Sequence, residues 1–216
     1  MSLTATGVSA RYGRGPLVLD GVDVSVAPGE TVGVAGPSGS GKSTLARVLC
    51  LLHRPAGGSV SVDGTVVSRW GTAAPPGLRR RLGAVFQSPR ASVDPRYPLR
   101  EVVAEPLRLA GRGSRGGRRD VDEAVARLAD RVHLAPELLR RRPHQVSDGQ
   151  LQRACLARAL ALDPRYLVCD EMTAMLDASS TAQLVRLVRD WQAETGAAVV
   201  AVSHDRRLLA RWADRV

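Results

Sequence analysis

The stretch "GPSGSGKST", Gly36 to Thr44, constrains this 216-residue chain more than any other. It contains the only lysine; every other one of the 31 basic residues is an arginine. A chain that otherwise uses arginine for positive charge needs something different at position 42. A compact ammonium on a flexible stem reaches under a phosphate, where the wider planar guanidinium does not substitute for it. The stretch fits G-x-x-x-x-G-K-[ST], and its surroundings fit too. The apolar run "TVGVAG" leads in as a strand, and "KSTLARVLCLL" leads out with helical periodicity. In such a strand–loop–helix unit, Gly36, Gly39 and Gly41 let backbone N–H groups close around phosphate oxygens, and the helix start adds its positive dipole end. Lys42 is expected to reach the outer phosphates, Ser43 to offer its hydroxyl to Mg²⁺, and Thr44 to add a polar contact. Pro37, Ser38 and Ser40 complete the expected loop.

The rest of the chain supplies a fold for this unit. "LTATGVSARYG", "LDGVDVSVAPGE" and "GGSVSVDG" alternate apolar and polar residues and end at turn signals, as half-exposed antiparallel strands do. "TVGVAG", "LGAVFQ", "YLVCDE" and "AAVVAVSHD" are continuous apolar runs, expected as parallel strands covered on both faces. Helical periodicity appears in "DVDEAVARLADRVHL", "SDGQLQRACLARALAL" and "ASSTAQLVRLVRDWQAETG". The alternation predicts an α/β sheet. From about 88 to 161 helical patterns occur without a buried strand, which predicts an inserted helical subdomain within a single domain spanning 1–216. The glycine-arginine tract 111–119 reads as a mobile loop within that insert.

In "YLVCDE" a buried strand ends in two carboxylates, at the sheet edge where α/β folds bind ligands. Asp170 is placed to hold Mg²⁺, and Glu171 to orient and activate an attacking water.

Composition excludes other classes. The formal charge of +10 would suit a polyanion, but the arginines are spread along the chain and aromatics make up only 3%, too few for base-stacking platforms. Direct nucleic-acid binding is not expected. No apolar run approaches the roughly 18 residues of a membrane helix, and the N-terminus lacks a signal-peptide pattern, so a cytosolic chain is expected. Cys50, Cys155 and Cys169, without metal spacing, read as reduced core residues.

Taken together, these motifs resemble the ATP-binding subunits of ABC transporters over essentially the whole chain. In order come an aromatic "RYG", the phosphate loop, a Q-loop "VFQ", a signature-like "VSDGQ", the acidic strand, a D-loop-like "AMLD" and a switch histidine in "VSHD". The stretch "VFQSPRASVDPRYPLREVVAEPL" is similar to the subgroup that imports di- and oligopeptides or nickel. The resemblance implies a P-loop NTPase with a RecA-like parallel core, an N-terminal antiparallel β subdomain and the helical insert. It implies ATP and Mg²⁺ as cofactors, with Tyr12 stacking on adenine, Gln87 touching Mg²⁺ and the lytic water, and His204 contacting the γ-phosphate. Ser147, Gly149 and Gln150 would close over ATP held by a second ATPase subunit, head to tail, in a homodimer or heterodimer, and Asp177 would organise the shared site. The implied partners are transmembrane permease subunits and, indirectly, an extracytoplasmic solute-binding protein, with the chain peripheral on the cytoplasmic face of the membrane. Alternatives are a soluble ABC-type ATPase acting on nucleic acid or ribosomes, and a poorly hydrolysing regulatory nucleotide-binding protein.

Three residues depart from the family pattern. Asp148 stands where the signature carries glycine, Met172 where proline follows the catalytic glutamate, and Ala174 where the D-loop often has serine. Asp148 suits a helix dipole but brings a carboxylate near a nucleotide phosphate. The text after the switch histidine, "RRLLARWADRV", reads as helical, where family members continue through further strands.

Overall fold

The computed structural model describes residues 1–111 and 117–216. Contacts divide the chain into two units, one of Met1–Ala84, Arg165–Glu171 and Trp191–Val216, the other of Val85–Pro164 and Met172–Asp190.

The first unit contains both sheets. Strands β1 (Leu3–Ala10), β2 (Leu19–Val26), β4 (Gly57–Val62) and β5 (Thr65–Val66) form an antiparallel sheet in the order β2-β1-β4-β5. The alternating text of β1 buries Leu3, Ala5, Val8 and Ala10 on one face. A second sheet has the order β3-β8-β7-β6, with β3 (Thr31–Ala35), β6 (Leu82–Val85), β7 (Tyr166–Asp170) and β8 (Ala198–Ser203). β8 pairs in parallel with both β3 and β7. Every residue of β7 and β8 is buried, as continuous apolar central strands require. The expectation of two covered faces fails for "LGAVFQ": β6 alternates half-buried and buried residues because it lies at the sheet edge.

Helix α1 (Lys42–Leu49) turns Leu45, Ala46, Val48 and Leu49 into a core shared with Val8 and Val60 of the first sheet and Val168 and Val200 of the second. Each fully buried aliphatic side chain contributes about 1.5–3 kcal/mol. Asp63, in the β4–β5 turn, accepts the Tyr166 hydroxyl at 2.6 Å and pairs with Arg81 and Arg165 at 2.8 and 3.0 Å. Burial alone would raise this carboxyl, but the Tyr166 and Arg165 hydrogen bonds and both guanidinium charges hold it below the ordinary range. A short helix, α2 (Pro76–Arg79), precedes β6.

The closing segment differs from its helical expectation. Helix α7 (Arg206–Trp212) stops at Ala213, whose backbone is extended. Beyond it Arg215 bridges Val32 in parallel, and the Asp214 carboxylate accepts the Thr31 N–H at 2.7 Å. The free ladder edge of β3 thus recruits the residues after the helix.

The second unit holds α3 (Leu99–Leu109), α4 (Gly117–Arg131) and α5 (Asp148–Leu160), packed pairwise, together with most of α6 (Ala178–Thr195). Of the tract 111–119, residues 112–116 lie outside the described residues; Gly117–Arg119 already belong to α4 rather than to a loop. Cys155 in α5 is buried, as are Cys50 and Cys169 in the first unit, and all three are free thiols. Burial pushes Cys50 up to about 12 and Cys155 up to about 11, so none is poised as a nucleophile at neutral pH.

Candidate phosphate-binding and hydrolytic site

The loop after β3 is shaped by its glycines. Gly41 sits at φ 90°, and a Cβ there would lie 2.7 Å from both Leu19 Cδ2 and Val18 O; a Cβ on Gly36 would meet Ser40 Oγ at 2.7 Å. These positions exclude side chains, which keeps the backbone N–H groups at the mouth of the loop accessible. Lys42, the first residue of α1, is 7% exposed. Its Nζ donates to Gly36 O at 2.9 Å and Pro37 O at 2.8 Å, and lies 3.7 Å from Glu171 Oε1. The ammonium is thus folded back over the loop, between its carbonyls and the acidic strand end.

Ser43 Oγ donates to Asp170 Oδ1 at 3.1 Å. A hydroxyl and a carboxylate at this spacing, beside a phosphate loop, could hold Mg²⁺. Among the described residues no three His, Cys, Asp or Glu side chains cluster as a metal site. Mg²⁺ takes one or two carboxylates together with phosphate oxygens and water. The electrostatics agree. Burial raises the Asp170 carboxyl above its ordinary range and the Glu171 charge raises it further, while the Ser43 hydrogen bond and the Arg47 and Lys42 charges oppose the rise. A bound cation would relieve this.

The same shift has a consequence for stability. Because folding raises the Asp170 pKa, the folded chain holds this proton more tightly, and the associated stability is present below the ordinary value of 3.8 and lost as pH rises through the folded value. Asp170→Asn is therefore expected to have a higher thermal midpoint than the parent at pH 7, with the difference closing towards pH 4. Scanning calorimetry across that range checks it; a parent more stable than the variant at pH 7 would contradict the buried-charge argument.

Glu171 follows β7 with φ 48°, its N–H donating to Val202 O at 3.0 Å. This left-handed turn ends the strand and aims a 13% exposed carboxylate back at the loop. His204 Nδ1 lies 3.4 Å from Glu171 Oε1, while Asp205 caps α7. Tyr12 is 47% exposed; its hydroxyl lies 3.2 Å from Thr44 Oγ1 and accepts from Arg47, and its ring is tilted 42° against His53. The structure thus gathers Lys42, Ser43, Asp170, Glu171 and His204, with Tyr12 beside Thr44.

The remaining predicted residues belong to the second unit. Ser147 caps α5: its Oγ accepts from Gln150 N–H at 3.2 Å, and Gln150 Oε1 accepts from Ser147 N–H at 3.0 Å. Gly149 lies in the first turn of that helix. Asp177 accepts the Ser180 N–H at 2.9 Å and hydroxyl at 2.7 Å, which holds its carboxyl below the usual range.

The sequence reading missed two residues of this unit. Gln152, 1% exposed, donates from Nε2 to Phe86 O at 3.1 Å and to Met172 O at 2.8 Å, so one amide ties the residues next to Gln87 and Glu171. Arg90 pairs with Asp148. A polar residue on the buried face of "SDGQLQRACLARALAL" was the available signal for Gln152.

With this geometry in place, residues 19–174 match the family model described as ABC transporter. The chain belongs to the ABC transporter family. It is 39% identical over 211 residues to the glutathione import ATP-binding protein GsiA of Pectobacterium atrosepticum, and 38% identical to that of Escherichia coli. Each match covers 98% of this chain and 33% of the relative, so the chain spans about a third of the length of these curated relatives. Among solved structures, the dimeric post-hydrolysis ATP-binding cassette MJ0796 bound to ADP and Pi superposes with a TM-score of 0.87 at 29% identity, covering 98% of this chain and 91% of that one. The chain cbiO1 from Clostridium perfringens, part of the transporter complex cbiONQ, shares the fold, with a TM-score of 0.81 at 24% identity over 98% and 82%. The α/β architecture is that of an ABC ATPase cassette.

Proposed function

We propose that this chain is the ATP-hydrolysing cassette of an importer. The observation that carries the reading is the meeting of Lys42, Ser43, Asp170, Glu171 and His204 at the ends of β3, β7 and β8. Lys42 and the backbone of the loop bind the phosphates, and Ser43 and Asp170 hold Mg²⁺, which shields charge on the transferred phosphoryl group. Glu171 accepts a proton from the attacking water; His204, whose Nδ1 lies 3.4 Å from the same carboxylate, orients it. Gln87 reports nucleotide occupancy to the helical subdomain, about 88–161, and Tyr12 presents its ring to adenine.

The cassette works in a head-to-tail pair with a second ATPase, each phosphate loop covered by Ser147, Gly149 and Gln150 of the other subunit, with Asp177 at the shared boundary. It docks on a separate transmembrane permease at the cytoplasmic face, and a solute-binding protein delivers cargo from the far side. The names of the curated relatives favour a small peptide over nickel as cargo, glutathione being a tripeptide. The test is a Mg²⁺-ATP titration by calorimetry: one nucleotide per chain is expected, weakened by chelating Mg²⁺. No heat of binding would sink the reading.

A further inference from the structure

Asp148 brings a carboxylate to the start of α5, where the proposed function needs donors for a nucleotide phosphate. The structure answers that charge. Arg90 Nε lies 2.8 Å from Asp148 Oδ1, an atom shielded from solvent. No aligned hydrogen bond reaches that oxygen, so the contact is one of charge. The same guanidinium donates from its other two nitrogens, to Pro143 O at 2.8 Å and Val146 O at 3.2 Å. Arg90 is thereby tied to the segment leading into Ser147 and faces Asp148 in a fixed position. Gly149 leaves the start of the helix open. A Cβ there would meet nothing in this chain closer than 3.8 Å, and its φ is not in the left-handed region, so neither packing nor backbone demands glycine.

We propose that Arg90 is a positioning residue that neutralises Asp148 and so makes this aspartate-bearing signature competent to close over the nucleotide of a second copy of the chain. The inference rests on the head-to-tail reading above. Without Arg90, a bare carboxylate beside the opposing phosphates weakens closure twice in each pair, because a head-to-tail dimer contains the contact twice. With Arg90 present, Asp148 keeps its favourable place in the first helical turn and its charge is answered locally.

The test uses the hydrolysis-arrested chain Glu171→Gln with Mg²⁺-ATP, its molar mass followed by light scattering over a concentration series. ATP is expected to convert monomer to dimer. Adding Arg90→Ala is expected to weaken this dimer at least tenfold, with ATP binding to the monomer unchanged. Raising salt should then strengthen association, since repulsion is screened. Adding Asp148→Asn to Arg90→Ala should restore most of the loss, although the contacts to Pro143 and Val146 stay broken. That rescue separates charge from structure: a merely structural Arg90 would not be rescued by removing its partner's charge. Undiminished association of the Arg90→Ala chain, or a loss that Asp148→Asn leaves in place, overturns the inference alone. A Glu171→Gln chain that binds ATP yet stays monomeric at every concentration overturns the self-pairing reading and this inference with it.

Discussion

Replacing Lys42 by alanine is expected to lower ATP turnover about 10²–10³-fold, the range found when one preorganised donor to a transition-state charge is removed. The ammonium is almost fully buried, and the Gly36 and Pro37 carbonyls hold it above the loop within reach of Glu171. Lys42→Arg is expected to fail nearly as badly, because the wider fork does not fit between the same two carbonyls. Steady-state phosphate release measures both, with circular dichroism as the control on folding. Near-parental turnover in Lys42→Ala would remove the phosphate-binding role from this residue.

Glu171→Gln is expected to reduce turnover by about 10²–10⁴-fold, the scale of a lost general base, while ATP binding survives. The substitution keeps shape and backbone. Glu171 takes its direction from a left-handed turn at the end of β7, fixed by the hydrogen bond to Val202 O, and glutamine occupies the same rotamer space without accepting a proton. A filter-binding assay beside the phosphate assay separates the two steps. Loss of both binding and turnover would mean that the carboxylate acts mainly on ground-state affinity.

The phosphate loop and the acidic strand were legible in the sequence because their chemistry depends on neighbours in the chain. The order glycine, glycine, lysine, serine after an apolar run is local, and so is an apolar strand ending in two carboxylates. Central strands were legible for the same reason: the apolar runs in "YLVCDE" and "AAVVAVSHD" emerge as β7 and β8, in which every residue is buried. Edge position was not legible, since "LGAVFQ" reads like its neighbours and only the strand order leaves it half covered. The turn of the last residues onto β3 was hidden too. Arg215 and Asp214 pair there through backbone and carboxylate across 183 positions, a contact that periodicity does not encode. Arg90 and Asp148 stand 58 residues apart by number, and Gln152 reaches back 66 positions to Phe86; Asp148 stood out in the sequence, but Arg90 and Gln152 read as ordinary surface and helix text because only packing within the second unit supplies their partners.

The most direct test of the central claim is single-turnover phosphate release from ATP by the purified chain, with and without Mg²⁺, in the parent, Lys42→Ala and Glu171→Gln. The account predicts stoichiometric release by the parent that requires Mg²⁺, and release slowed by at least about a hundredfold in both variants. ATP held by the parent without release, or release indifferent to either substitution, would contradict it.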